Sequence, residues 1–344
     1  MSEILPKGKL STDLLKKIIF HKLGVENNNV IIGPKVGEDA TVIRLQSKYI
    51  IVTTDPITGA VEDIGRLAIN VNANDVGAFG VKPKFFLATV LLPVGSTTDD
   101  LKKIMAQLDE HAKKLGISIV GGHTEITDVV KQPVIIGIMI GETEKDGFVT
   151  SSGAKIGDKI ILTKYAGIEG TAILAEDCKE FLKKFLTEEE LNSARELKFH
   201  TSVVIDGTVA LRSGAVTAMH DPTEGGVIGA LYEIAEASNV GFIAYEEKIP
   251  VLEITQKICS KMNIDPLKLI SSGALLITAN RDKYKKTLSY LKDANIPATV
   301  IGEITDSNRK ILVRKDGTHE KITEVPIDEL WKALRICRGK ENEE

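Results

Sequence analysis

Five short segments combine carboxylates with glycine, proline or small polar residues: Gly37-Glu38-Asp39-Ala40, Thr54-Asp55-Pro56-Ile57-Thr58, Asn72-Ala73-Asn74-Asp75, Gly121-Gly122-His123-Thr124-Glu125 and His220-Asp221-Pro222-Thr223-Glu224-Gly225-Gly226. Each falls where the surrounding pattern starts or stops a regular element. Two carboxylates about 4 Å apart repel by roughly 4 kcal/mol at an effective dielectric near 20, so gathering several of them requires a cation. Hydrated Mg²⁺ carrying a nucleotide is the usual hard cation for oxygen ligands of this kind. The glycine pairs let backbone approach a ligand closely, and Thr223 with the free N–H groups of a following helix start suits phosphate oxygens.

Each segment also has a plainer reading. Asp39 suits a turn at a strand edge, Asp55 an Asp-Pro turn, His123 and His220 satisfied hydrogen-bonding side chains, and each glycine pair a turn. Asp75 fits its plain reading worst, because it shares an apolar stripe with Val71 and Ala78, where an unpaired carboxylate is costly. Asn72 and Asn74 beside it carry amides suited to phosphate or ribose. The chain has no Gly-x-x-x-x-Gly-Lys-Ser/Thr and no Gly-x-Gly-x-x-Gly before a helix, which disfavours the two commonest nucleotide folds.

The elements that must position these residues read as an alternation of strands and helices. Ser11 caps a first helix through Leu14, Leu15, Ile18 and Ile19 that ends near Gly24, with Asp13 in its first turn. Strands are expected from Ala40 to Leu45 and from Tyr49 to Thr54, the second ended by Asp55-Pro56. A helix from Asp63 carries Ile64, Leu67, Ala68, Val71, Asn74, Asp75 and Ala78 at helical spacing. A strand from Phe85 to Leu92 leads to a helix capped by Thr97 or Thr98 and closed by Gly116. Ile117 to Val120 then reads as a short buried strand running into Gly121-Gly122, and Val134 to Ile140 as another strand.

The polar stretch from Glu142 to Asp158 suggests a boundary, with an N-terminal domain over 1–150 and a C-terminal domain over 151–344. The second half continues with strands at 159–163, 215–219 and 274–279, and with helices at 168–177 and 201–213, after Gly226, from 251 and from 282. A hairpin is expected around Asp316-Gly317, then an amphipathic helix with Leu330, Trp331 and Leu334.

Forty-four Lys and Arg against 48 Asp and Glu give a formal charge of −4 with no basic tract, which argues against a nucleic-acid partner. No apolar run is long enough for a membrane span, and the polar start at Met1–Lys9 carries no signal core, so a cytoplasmic location is expected. Lys7 and Lys9 are candidates to meet phosphate if that start folds over a cleft. Cys178, Cys259 and Cys337 are widely spaced and outside any Cys-x-x-Cys, and are expected as buried or inert thiols rather than a disulfide.

As an ordered set, the five segments resemble the aminoimidazole ribonucleotide (AIR) synthetase superfamily, whose members include that purine enzyme, thiamine-monophosphate kinase, selenophosphate synthetase and the hydrogenase maturation factor HypE. The resemblance spans roughly residues 5 to 305. It implies a two-domain α+β fold, an N-terminal domain that pairs with its twin into a β-barrel at a homodimer interface, and a C-terminal α/β domain. ATP and Mg²⁺ would bind in the cleft between the domains and activate an oxygen as a phosphate ester. Carried onto this chain, Asp39, Asp55 and Asp75 become the metal ligands with Asn72 and Asn74 beside them. Gly121, Gly122 and Thr124 lie against the nucleotide, and Asp221 and Thr223 face it from the second domain with Gly225 and Gly226 after them; Asp75 and Asp221 are then nearest the chemistry, and His123, by its own residue type, is a candidate to position phosphate or to act as an acid or base.

Asp221-Pro222-Thr223-x-Gly225-Gly226 is most similar to HypE, which converts a carbamoylated C-terminal cysteine to a thiocyanate by phosphorylating the amide oxygen, in partnership with a carbamoyltransferase. This chain departs in carrying Glu224 where HypE has Arg, and His123 where the superfamily has an acid that Glu125 would replace. Arg338–Glu344 also follow Leu334-Arg335-Ile336-Cys337, where HypE stops at its cysteine. The other readings kept open are AIR synthase or thiamine-monophosphate-kinase-like activity, a nucleotide-binding regulatory protein without catalysis, and a maturation factor that uses Cys337 after its tail is trimmed. The thiamine kinase's Asp-x-Ser-Asp-Gly and the reactive N-terminal cysteine of selenophosphate synthetase are both missing.

Overall fold

The computed structural model describes residues 14–35, 37–58, 62–144, 147–306 and 309–339, so Lys7, Lys9, Ser11 and Asp13 lie outside the described residues. The N-terminal half contains β1 (Val30–Ile32), β2 (Thr41–Leu45), β3 (Lys48–Ile57), α1 (Ile64–Ala78), β4 (Pro83–Pro93), α2 (Thr98–Leu115), β5 (Ser118–Thr127) and β6 (Val134–Glu144). Its strands form one open sheet in the order β1-β2-β3-β6-β4-β5, antiparallel except where β5 runs parallel to β4. α1 and α2 cover one face, burying Ile64, Ile69, Val76 and Leu108 against Ile51, Phe86, Ile135 and Met139.

Local signals explain the α2 boundaries. Thr97 accepts from the Asp100 N–H while Asp100 reaches back to the Thr97 N–H, and Gly116 closes the helix in the left-handed region at φ 69°. α1 has little polar face left, because the sheet lies on one side of it and the C-terminal half on the other: even Arg66, Asn72, Asn74 and Asp75 are buried.

Four expectations need correcting here. β3 does not stop at Asp55 but runs through Pro56 to Ile57, paired with β6; β2 ends opposite Val52, so Pro56 has one neighbouring strand and its missing N–H costs a single rung near the strand end. Ile117–Val120 is not a short buried strand: β5 extends from Ser118 through Gly121, Gly122 and His123 to Thr127 and is exposed from Ser118 to Ile126. A parallel edge strand has hydrogen-bonding neighbours on one side only, and α2 does not cover it. Among the described residues the first helix is a π-helical turn at Leu15–Ile19 that buries nothing. The five acidic segments also do not all mark element ends, since Asn72–Asp75 lie inside α1 and Gly121–Glu125 inside β5.

The C-terminal half contains β7 (Lys159–Thr163), α3 (Ile168–Asp177), α4 (Lys179–Leu182), α5 (Glu188–Glu196), α6 (Val204–Arg212), β8 (Val216–His220), α7 (Gly226–Ser238), β9 (Gly241–Tyr245), α8 (Glu253–Lys261), β10 (Leu276–Ala279), α9 (Tyr284–Asp293), β11 (Ala298–Thr305), β12 (Lys310–Val313), β13 (His319–Lys321) and α10 (Glu329–Cys337). Its sheet has the order β13-β12-β9-β11-β7-β10-β8. β7 and β10 are almost wholly buried and read as continuous apolar runs, while the Asp316-Gly317 hairpin joins β12 to β13. The expectation of three unpaired thiols is wrong for two of them. Cys178 and Cys337 form a disulfide across 159 residues of sequence, their Cα atoms 5.5 Å apart, and Cys259 alone is free and buried. No spacing rule reaches that far, because the pair meets only when α10 packs beside the end of α3.

Candidate active site

The loop that leads into β2 rests on α7 of the C-terminal half, so closely that a Cβ at Gly37 would meet the Glu233 carbonyl oxygen at 3.1 Å. That docking brings Asp39 to His220 at the end of β8. His220 Nδ1 lies 2.6 Å from Asp39 Oδ2, and its Nε2 lies 2.8 Å from Glu233 Oε2. Burial would lower the imidazole pKa, but the Asp39 charge and the hydrogen bonds to Asp39 and Glu233 outweigh it and hold His220 well above its ordinary value. As imidazolium it donates from both nitrogens.

Asp75 meets the same place from α1. The Thr53 hydroxyl donates to Asp75 Oδ2 at 2.6 Å and lies 3.0 Å from the Asp39 carbonyl oxygen. Burial, then the charges of Asp55, Asp221 and Asp39, push the Asp75 carboxyl well above the usual range. Burial and Asp39 likewise raise Asp221 to about 7, with His220 pulling in the opposite direction. Asp221 Oδ1 is buried without a hydrogen-bond partner. Ligand atoms of Asp39, His220 and Asp221 all lie within 4.8 Å of one another.

Acids from both halves of the chain thus converge, and burial with the neighbouring negative charge holds Asp75 and Asp221 above the usual carboxylate range. The donors are hard oxygens with an unsatisfied carboxylate at the centre, which fits a divalent ion of the Mg²⁺ type. His220 has both nitrogens engaged, which leaves the carboxylates to serve as ligands.

The other residues singled out in the sequence are placed differently. Asn72 accepts from the Asp55 N–H (2.9 Å) and donates to the Ala68 carbonyl, capping the edge of β3 beyond β2. Asn74 donates to the Thr201 carbonyl (2.7 Å) and accepts from the Val203 N–H (2.9 Å), tying α1 to the start of α6. Both amides are occupied by backbone, a structural use. Gly121, Gly122 and Thr124 lie on β5, three strands from Asp55, or about 14 Å at ordinary strand spacing. Gly122 is explained by the sheet itself, since a Cβ there would meet the Ala88 carbonyl oxygen at 2.0 Å. His123 Nε2 lies 3.0 Å from Glu125 Oε2 on that exposed strand, away from the acids.

Thr223, Gly225 and Gly226 form the turn between β8 and α7, and both glycines have left-handed φ, 82° and 62°. The Gly226 N–H donates to the Thr223 carbonyl, and the Gly225 N–H to Asp328 Oδ2 (2.8 Å). Three residues of the site went unread in the sequence. Thr53 was signalled by its position two before Asp55 on one strand face, and Glu233 by its place two helical turns after Gly226. Asp328 lies 103 residues from its partner and gave no signal.

Comparison with known proteins places both halves of the chain in one family. Residues 37–143 match the family model for the N-terminal domain of AIR synthase related proteins, and residues 155–315 match that for the C-terminal domain. The carbamoyl dehydratase HypE of Cupriavidus necator is 30% identical over 253 residues, covering 72% of this chain and 69% of that protein. HypE from a solved HypE–HypF complex superposes with a TM-score of 0.74 at 28% identity, over 90% of this chain and 99% of that one. HypE solved in complex with ATP shares the fold, with a TM-score of 0.68 at 21% identity over 94% of this chain and 97% of that one.

Proposed function

Because this chain belongs to the AIR synthase-related family, as both domain models and the HypE relative show, we propose that it is an ATP-dependent enzyme of the HypE type that activates a carbonyl or amide oxygen by phosphorylation. The observation that carries this reading is the convergence of Asp39, Asp55 and Asp75 from the first domain with Asp221 from the second, at the end of β8. ATP is the nucleotide favoured, since HypE of the same fold binds it.

Asp39, Asp55, Asp75 and Asp221 would hold Mg²⁺, which when bound neutralises charge on the triphosphate during phosphoryl transfer. His220, fixed by Glu233, aims the Asp39 carboxylate, and Thr53 fixes that of Asp75. The Thr223–Gly226 turn keeps its own Gly225 and Gly226 N–H groups for internal bonds and positions the first turn of α7, whose following N–H groups have no intrahelical partner and would meet phosphate oxygens.

We place the domain division at residue 150, supported by the irregular run from 147 to 158 between β6 and β7. A homodimer is supported by the bare edge of β5, where Ile119, Val120 and Ile126 are exposed beside Phe85 on β4 and Ile138 on β6. An open edge with an adjoining apolar face is a surface that pairing with a second copy would cover, closing the two sheets into the expected barrel. Gly121, Gly122, His123 and Thr124 would then be interface residues. A carbamoyltransferase-type partner is supported by the HypE–HypF complex. No helix among the described residues is long and apolar enough to cross a membrane.

Incubation of the purified protein with ATP and Mg²⁺, with and without carbamoylated peptide acceptors, tests the reading through ADP release. Acceptor-dependent ADP supports it, and MgATP binding without ADP under any acceptor points to a regulatory nucleotide-binding protein instead.

A further inference from the structure

The terminal helix α10 connects the glycine turn to the far end of α3. Asp328, 5% exposed, accepts from the Gly225 N–H through Oδ2 (2.8 Å) and from the Leu330 N–H through Oδ1 (2.8 Å). One carboxylate therefore joins the turn after β8 to the first turn of α10. Val325 and Pro326 close around the same turn, for a Cβ on Gly225 would come within 2.9 Å of each. Along α10, Leu330, Ala333 and Leu334 pack with Leu174, Ala175 and Leu182. At its last residue, Cys337 is bonded to Cys178, the residue that ends α3. A nine-residue helix is too short to persist by itself, so α10 depends on this apolar stripe and on what fixes its two ends.

Resting on the assignment of the start of α7, which the Gly225-Gly226 turn positions, to the nucleotide phosphates, we propose that Asp328 is a positioning residue for that turn and that the Cys178–Cys337 bond is the anchor that makes its grip redox-dependent. A dithiol reductant releases the anchor. One of its thiolates attacks a bridge sulfur, forming a mixed disulfide and freeing the other cysteine as thiolate, and its second thiolate then displaces the remaining cysteine. Two electrons and two protons end on Cys178 and Cys337, and the reductant departs as its own disulfide. With the anchor cut, the last turn of α10 frays, the Asp328 carboxylate disengages from Gly225, and the turn no longer presents the N–H groups at the start of α7 in one fixed array.

The test uses the full-length protein in oxidised and dithiol-reduced forms, together with Cys337→Ser and Asp328→Asn. Thiol titration after denaturation should find Cys259 alone before reduction and all three cysteines after it. Backbone amide exchange over residues 222–229 should quicken by about ten-fold or more on reduction, in Cys337→Ser and in Asp328→Asn, while exchange over β7 stays unchanged. Affinity for a nonhydrolysable ATP analogue with Mg²⁺ should fall several-fold in the same three samples. Three free thiols under oxidising conditions, equal exchange rates, or faster exchange with unaltered affinity would each overturn the proposal. If the oxidised protein binds no analogue at all, the nucleotide reading fails, while the exchange contrast still decides whether the clamp exists.

Discussion

Each sheet ends in an edge strand that carries a histidine close to acids, and the two edges have opposite surroundings. On β5, His123 meets Glu125 on a strand open to solvent, its side chain 63% exposed. At the end of β8, His220 is 3% exposed and wedged between Asp39 and Glu233. A solvent-exposed ion pair contributes about 0–1 kcal/mol, whereas removing one member of a buried pair costs about 3–5 kcal/mol because the partner is left charged and unpaired. The same residue types thus make a surface free to meet another molecule on β5 and a fixed internal charge on β8. The difference lies in what covers the strand: α7 and the Asp39 loop close over the end of β8, and nothing among the described residues does so for β5.

The largest test of the buried side is Asp75→Asn. Asn stands in for the protonated acid and removes the cost of protonating a group that burial and three neighbouring acids keep from ionising, so apparent stability without metal should rise. Loss of its negative charge from the metal-binding set should lower kcat/KM by about 100-fold or more and erase the thermal shift that Mg²⁺ with ATP produces in the parent. Unchanged turnover and MgATP affinity would remove Asp75 from the site.

The histidines themselves give the next contrast. His220→Gln should destabilise the protein by about 3–5 kcal/mol in denaturant unfolding, because Asp39 and Glu233 lose the cation between them. His123→Gln should change unfolding of the isolated subunit by less than about 0.5 kcal/mol. Equal effects would show that the two edges are not different in kind. On the exposed side, Val120→Lys should shift the protein from dimer to monomer in sedimentation at micromolar concentration, since it puts a charge on an apolar residue 54% exposed in one chain. A monomeric parent would leave the bare edge of β5 without that explanation.

The sequence carried the elements whose signals are local: the capped α2, the apolar runs of β7 and β10, and the Asp316-Gly317 hairpin all formed where their residues asked for them. It carried less where covering decides. Ile119 and Val120 look like core residues in a short apolar run, and only the sheet order reveals that they sit on an outer strand. Where the two halves meet, Asp39, Asp75 and Asp221 come together, as expected of segments rich in carboxylates. Asn72 and Asn74, beside Asp75, looked like amide donors to phosphate or ribose, and the fold spends them on backbone. Asp328 and the Cys178–Cys337 pair depend on contacts between distant segments, which no local pattern encodes.

The smallest effect concerns the turn that follows β8. Burial pushes Asp328 from 3.8 up to about 6, against the pull of the Leu330 and Gly225 N–H groups. A carboxyl raised in the folded state binds its proton more tightly there than in the unfolded chain. Its contribution to stability is therefore fully present below the unfolded value near 3.8 and is lost as pH rises through about 6. Comparing the parent with Asp328→Asn cancels the titration of every other group that the substitution leaves undisturbed. The stability of the parent relative to the variant should fall by up to about 3 kcal/mol between pH 4 and pH 7, with most of the change between pH 4 and pH 6. A flat difference over that range would mean that water reaches the Asp328 carboxylate as freely as it reaches the open edge of β5, and the end of β8 would then be less enclosed than its neighbours indicate.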